Sequence, residues 1–250
     1  RKIRNTFRYL LGNINDNFTS PNLDEVDLDE LPELEQLMLH KIYILNDNFK
    51  KYFNNYDFHN LYKELLNFCT VDLSAFYFDI RKDNLYCDPK DSEKRKSTIL
   101  LLNIILNALL KWFAPILSFT TEEIYRLLFK DQKSIHLEKF IEFPDKFKNQ
   151  KLNEKWNELI KIRNICNISI EEKRASKEIG SSLEAHLKIQ LSEKLKNLSE
   201  NTDFSELCIV SKAEVSYTDD VDTKSITTKA KGTKCPVCWK INEGPCPRHP

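Results

Sequence analysis

The sequence predicts a mainly α protein: a helical bundle, then a small α/β segment, then a cysteine-rich knuckle at the C-terminus. Three observations lead there. Residues 98–129 are apolar almost all round a helical wheel, only four glycines occur in 250 residues, and past Gly180 the apolar period drops from that of a helix to two. So few glycines suit long helices with few tight turns, and argue against a sandwich or a glycine-looped nucleotide fold.

The bundle is organised round residues 98–129. Leu100, Leu101, Leu102, Ile104, Ile105, Leu106, Leu109, Leu110, Trp112 and Phe113 leave Asn103, Asn107 and Lys111 as polar breaks, four apart, in one thin stripe. Such a helix is a central core helix whose stripe lies at a rim or against a polar partner. Lys111 and Pro115 arrive too early for a membrane span, which takes about 20 apolar residues. Pro115 has no amide hydrogen and disfavours helix at Ala114, so the chain kinks or stops there. Thr120 with Glu123 three residues on fits a capping box, and Phe119 is placed to staple onto Ile124, opening a helix through Phe129.

Three amphipathic helices are expected ahead of this core. In residues 1–18, Ile3, Phe7, Leu10, Ile14 and Phe18 recur at helical spacing, and Arg1, Lys2, Arg4 and Arg8 crowd the first two turns. Cations there oppose the helix dipole unless the helix begins upstream. With Arg1 first and Met38 the only methionine, the chain reads as a portion of a longer one. On residue type alone the cations form a solvated face. An acidic loop at 24–30 leads through Pro32, acceptable in a first turn, into a helix to about Asn54 buried through Leu34, Leu37, Met38, Leu45, Phe49 and Tyr52. After a turn at 54–57, Phe58, Leu61, Tyr62, Leu65, Cys69, Leu73, Phe76 and Ile80 carry a helix to about Lys82, with Asp79, Arg81, Lys82 and Asp83 as its charged end.

Behind the core helix, an irregular stretch through Phe140 and Pro144 closes the bundle. A charged helix then runs from Asn149 to about Glu178 on a narrow seam of Leu152, Trp156, Leu159, Ile160, Cys166 and Ile170. Its seven basic and five acidic residues from Lys151 read as solvent dressing or as a strip along an RNA backbone. Leu183, Ala185, Leu187, Ile189 and Leu191 alternate with polar residues, as in a half-buried strand. Leu195 and Leu198 suit a short helix, 207–210 and 213–217 suit two more strands, and 218–234 reads as polar and weakly structured.

Charge is balanced at 38 basic against 38 acidic residues, so any nucleic-acid surface has to come from local segregation. Nothing reads as a signal peptide or membrane run, which points to a soluble intracellular protein. Of seven cysteines, Cys69, Cys87, Cys166 and Cys208 are scattered and read as small buried side chains. The others are concentrated: Cys235-Pro-Val-Cys238, seven residues, then Cys246-Pro-Arg-His249. Two ligand pairs, each split by two residues, converge thiolate and imidazole donors on one zinc ion in a closed tetrahedral set, which makes the site structural. A segment this short has no core, so ligation supplies its ordering energy, roughly 10 to 16 kcal/mol in zinc-finger peptides. His249 is the expected fourth ligand; the other reading is a solvated residue, with a cysteine beyond it completing the site. Trp239 either stacks on a base or covers the knuckle. The remaining histidines, His40, His59, His136 and His186, stand near no acid or nucleophile at catalytic spacing, and no catalytic set emerges.

Several stretches carry a family resemblance. Leu110-Lys-Trp-Phe-Ala-Pro-Ile-Leu-Ser-Phe-Thr-Thr-Glu-Glu-Ile-Tyr125 resembles the bundle core of the anticodon-binding domain of class I aminoacyl-tRNA synthetases, the isoleucine enzymes in particular. Arg4-Asn-Thr-Phe-Arg-Tyr-Leu-Leu-Gly-Asn13 resembles the opening helix of that domain, and residues 74–86, 178–185 and 206–211 continue the match in family order. Bacterial-type members end in a zinc knuckle opening Cys-Pro-x-Cys-Trp, matched by Cys235 to Trp239; their usual fourth ligand is a cysteine, so His249 departs from the pattern.

The resemblance implies an anticodon-binding bundle over 1–145, a charged helix with an α/β appendage over 146–233, and the zinc knuckle over 234–250. It implies tRNA contacts from Arg1, Arg4, Arg8 and Trp239, an isoleucine tRNA as partner, a monomer, and a cytoplasmic location without a membrane. The whole enzyme would join isoleucine to its tRNA using ATP and magnesium. Those belong to a catalytic domain outside this sequence, since the family's His-Ile-Gly-His and Lys-Met-Ser-Lys-Ser signatures are absent. Two alternatives stand beside it. One is the equivalent region of a valine, leucine or methionine enzyme, though the long terminal coiled coil of the valine enzymes has no counterpart after Gly180. The other is a zinc-ribbon module on a helical scaffold that binds protein rather than RNA.

Overall fold

A computed structural model describes residues 1–14, 18–129, 133–220 and 222–249. The chain divides into two compact units, Arg1–Gln150 and Lys151–Pro250. Positions 15–17 of the first predicted helix, 221 of the polar run and 250 of the knuckle lie outside the described residues.

The first unit is a helical bundle. Its elements are α1 (Lys2–Ile14), α2 (Glu33–Asn54), a helical run made of α3 (Phe58–Asn67), a π-helical stretch (Phe68–Tyr77) and α4 (Phe78–Cys87), then α5 (Glu93–Phe113) and α6 (Ser118–Leu128). By length and composition α5 is able to cross a membrane, but its apolar residues are buried within the bundle, among them Leu102, Leu106, Leu109, Trp112 and Phe113. Its polar stripe meets a polar partner. Asn103 Oδ1 accepts from the Thr19 amide at 3.0 Å, Asn107 Nδ2 donates to Ser20 Oγ at 3.2 Å, and Lys111 Nζ stands 3.7 Å from Glu138.

Four expectations for this unit need correction. Phe119 is 93% exposed, so the staple onto Ile124 does not form. The amides of Ile116 and Leu117 both donate to the Phe113 carbonyl, a tight turn around Pro115 that starts α6 at Ser118, ahead of the Thr120 box. Phe58 and Tyr62 face solvent, not core. Arg81, read as part of a charged helix end, is 3% exposed. Its Nε and one terminal nitrogen each bond Glu35 of α2 at 2.6 Å, and Tyr77 donates to the same carboxylate at 3.0 Å. Burial and that carboxylate push the Tyr77 phenol well above its usual value.

The second unit is built on α7 (Gln150–Ala175), buried through Leu152, Trp156, Leu159, Ile162, Arg163, Cys166 and Ile170. Ile160 is only half-buried, and Ile162 and Arg163 take its place in the seam. Arg163 donates its Nε to the Leu207 carbonyl at 2.9 Å. A mixed sheet of order β2-β1-β3 comprises β1 (Ala185–Ser192), β2 (Lys212–Thr218) parallel to it and β3 (Lys224–Lys229) antiparallel. The parallel pair needs a crossover; it runs through α8 (Lys196–Ser199) and α9 (Phe204–Leu207). Ala185, Leu187, Ile189 and Leu191 point inward as the alternation predicts.

Residues 207–210 are no strand. Asp203 caps α9 by accepting from the amides of Ser205 and Glu206, and Ile209 then turns the chain in the left-handed region at φ 56°. A four-residue apolar run does not distinguish a strand from a buried turn. Conversely, the run read as weakly structured contains β3. There Thr227 is buried, with its Oγ1 2.8 Å from Ser169 Oγ, while Ile226 is exposed, the reverse of an apolar-inward pattern.

Candidate metal centre and cationic faces

After β3 the chain forms a short hairpin, β4 (Thr233–Lys234) pairing with β5 (Ile241–Asn242). Between them the Cys235 amide donates to the Lys240 carbonyl at 2.9 Å and the Trp239 amide to the Cys235 carbonyl at 3.0 Å. This turn swings Cys235 and Cys238 to one side and puts Trp239 in the left-handed region at φ 64°. A second turn, with the His249 amide donating to the Cys246 carbonyl at 3.1 Å, presents Cys246 and His249 opposite them.

The four donor atoms lie within 4.8 Å of one another. Cys238 Sγ stands 3.7 Å from Cys246 Sγ, and His249 Nδ1 stands 3.6 Å from both Cys235 Sγ and Cys246 Sγ. Donors about 2.3 Å (sulfur) and about 2.1 Å (nitrogen) from one tetrahedral ion would be about 3.8 Å apart sulfur to sulfur and about 3.6 Å sulfur to nitrogen. The donor set therefore fits a single metal ion, with His249 inside it. The amides of Cys238 and Val237 pull the Cys235 thiol down to about 6, toward the thiolate form that a metal takes. Burial pushes Cys238 up to about 11, and a bound cation would have to displace its proton.

The knuckle is anchored within its unit. Ser211 Oγ accepts from the Ile241 amide at 2.6 Å and itself donates to the Leu183 carbonyl. Gly232, at φ 122°, lies so close to β5 that a Cβ would fall 2.1 Å from the Asn242 carbonyl oxygen; no other residue fits there. Trp239 is 58% exposed, with Lys234 Nζ 5.1 Å from its ring centre, so one face is open to stacking.

In the bundle, Ile3, Thr6, Phe7, Leu10 and Ile14 form the buried face of α1, and Arg1, Arg4 and Arg8 share its solvent side at helical spacing. Arg4 reaches Glu123 of α6 at 2.7 Å. Sequence reasoning missed a groove of about 600 Å³ beside the sheet, lined among others by His186 and Lys188 of β1, Lys212 of β2, Lys229 at the end of β3, Lys231 just past it, and Asn242 and Glu243 of the knuckle. The outward positions of β1 were legible from alternation, but which strands flank them was not.

A family model described as the anticodon-binding domain of tRNA ligase matches residues 35–190. The isoleucine–tRNA ligase of Pelagibacter ubique (strain HTCC1062) is 66% identical over 251 residues, covering 100% of this chain and 28% of that protein. The isoleucine–tRNA ligase of Caldicellulosiruptor saccharolyticus is 40% identical over 248 residues, or 97% of this chain, and that of Bartonella henselae 35% over 263, or 100%; each is covered over 27% of its length. The chain thus spans a little over a quarter of the length of the curated relatives it matches.

Proposed function

Because the chain belongs to the family of anticodon-binding domains of tRNA ligases, we infer that it is the tRNA-holding portion of an isoleucine–tRNA ligase. The observation that carries this reading is the match along the whole chain to isoleucine–tRNA ligases, at 66% identity in one of them. In the parent protein, isoleucine would be activated with ATP and magnesium by the part of the relatives' length not spanned here. The protein would act as a cytoplasmic monomer.

The chain's own contribution is positioning. Residues 1–145 form the anticodon-binding bundle, on which Arg1, just ahead of α1, and Arg8 within it face phosphate oxygens, and Arg4 exchanges its exposed Glu123 partner for another. Phosphate contacts fix register without reading sequence. Bases unstacked from a single-stranded loop are read by side-chain edges and by stacking, for which Trp239 supplies an open aromatic face. Residues 146–233 carry the knuckle, 234–250, which holds one zinc ion through Cys235, Cys238, Cys246 and His249. Zinc, when bound, supplies cross-linking energy to a segment without a core.

Filter binding of the zinc-loaded chain to isoleucine tRNA and to an anticodon-altered tRNA, at two salt concentrations, tests the reading. The expected result is preference for the natural anticodon and a steep loss of affinity with salt. Indifference to the anticodon with a shallow salt dependence would refute it in favour of a protein-binding adaptor.

A further inference from the structure

Resting on the reading of the chain as part of an isoleucine–tRNA ligase, we propose that the turn at 115–119 docks the parent polypeptide that precedes Arg1. That polypeptide enters as a helical continuation of α1, with its apolar side against Phe119. The contact fixes the tRNA-holding bundle to the rest of the parent protein.

Exposure singles out the turn. Phe119 is 93% exposed, the most of any large apolar side chain among the described residues. Pro115 is exposed as well, and Ile116 and Leu117 are only half-buried. Leu127, two turns on along the same side of α6, is 70% exposed. Bare apolar side chains grouped in this way, rather than scattered singly, mark an interaction surface.

Position selects the occupant. Phe7 packs edge-on against Phe113 at the end of α5, with ring centres 6.2 Å apart, so the turn at 115–119 emerges beside the first turns of α1. From there α6 runs in the same direction as α1. Glu123 meets Arg4 near the start of α1, and Phe129, just past α6, meets Phe18 beyond the end of α1, with ring centres 5.3 Å apart. Phe119 lies one turn before Glu123 on the same face, about 6 Å back along α6 at about 1.5 Å per residue. The same step back from Arg4 passes beyond Arg1, so α1 stops short of the ring and leaves it bare.

One further turn of helix would reach it. The buried line of α1 runs through Ile3, Phe7, Leu10 and Ile14, and carried back by three and four residues it falls on the two positions just ahead of Arg1. Apolar residues there would cover Phe119 and prolong the core. In the relatives most of the length lies outside the span of this chain, so polypeptide is at hand to supply them. RNA suits the surface less well, because Glu122 and Glu123 in the next turn of α6 repel a phosphate backbone.

The test uses the full-length parent beside the 250-residue chain. With Phe119→p-benzoylphenylalanine in the parent, irradiation with and without isoleucine tRNA should give a crosslink within the polypeptide, to residues in the two turns ahead of Arg1. F119S should lower the melting temperature of the bundle in the parent by about 4 to 8 °C, the loss expected for one buried phenylalanine. In the 250-residue chain the same substitution should change neither melting temperature nor tRNA affinity. A crosslink to the tRNA, with weaker tRNA binding by F119S in the chain alone, would overturn the proposal in favour of a base stack. A crosslink between two copies would overturn it in favour of self-association. No crosslink, with an unmoved melting temperature in the parent, would reduce Phe119 to plain surface. Indifference to the anticodon would sink the functional reading and leave a crosslink ahead of Arg1 standing, so the two failures are told apart.

Discussion

Replacing Arg81 with methionine should be among the most damaging single changes in the bundle. Methionine has similar length and no charge, so the perturbation is the loss of two 2.6 Å bonds to the Glu35 carboxylate, leaving that group with the Tyr77 hydroxyl at 3.0 Å and Thr98 at 3.5 Å. Glu35 has no exposed surface to hydrate in compensation. Removing one partner of a buried ion pair costs about 3 to 5 kcal/mol. That is a large fraction of the 5 to 15 kcal/mol typical of whole domains, and at about 2 to 4 °C per kcal/mol it lowers the melting temperature by about 6 to 20 °C. The double variant E35L/R81M removes both charges and should recover most of the loss, since apolar replacement of such pairs is often neutral or stabilising. Urea unfolding of both single variants and the double measures all of this. A cost for R81M below about 1 kcal/mol, or single-variant costs that simply add, would refute the reasoning.

Two further outcomes follow. His249→Ala should weaken zinc binding by about a hundredfold or more, about a quarter of the whole ligation energy, while His249→Cys retains it; competition with a chromophoric chelator measures both, and undiminished affinity in His249→Ala would exclude the imidazole from the ligand set. His40 is buried, accepts from the Asn149 amide at Nδ1, and is held below its usual pKa by burial and then by Lys41 and Lys148. The unfolded chain therefore binds the extra proton, so the stabilisation is full above about pH 6.5 and is lost as pH falls below it; the urea midpoint of His40→Gln should show less of that decline than wild type.

Much of this architecture was legible because each signal was local. The ligand spacing in Cys235–His249, the break at Pro115 and the alternation at 183–191 each depend on a few consecutive residues. The polar stripe of α5 was legible as a stripe, but its partners, Thr19, Ser20 and Glu138, were not, because a wheel says that a polar face has a neighbour without saying which. β3 hid for a different reason: its inward position is Thr227, satisfied by Ser169, so no apolar pattern announced it. The groove beside the sheet was invisible for another reason: Lys188 and Lys231 are far apart in sequence, and the pairing of β1 with β3 followed by the turn past Lys229 puts both in its lining.

The buried Arg81 depends on backbone geometry that a helical wheel leaves out. Leu61, Leu65, Cys69, Leu73, Tyr77, Arg81 and Leu85 are all buried, each four residues after the last. On a regular α-helix a step of four overshoots one turn by about 40°, so six such steps would carry the line well over half-way round the cylinder, and its far end would face water. The π-helical stretch Phe68–Tyr77 packs more residues into each turn and takes up the drift, which keeps Tyr77 and Arg81 aimed at Glu35. Thr70 helps to satisfy the altered hydrogen bonding, donating to the Leu66 carbonyl at 2.9 Å. Against α1 the same stretch borders a cavity of about 540 Å³ lined by Thr6, Tyr9, Thr70 and Ser74. The π-helical turns thus set the direction of α4, and the Glu35–Arg81 pair holds that direction against α2. A helix whose residues were counted at 3.6 per turn would have left the arginine outside.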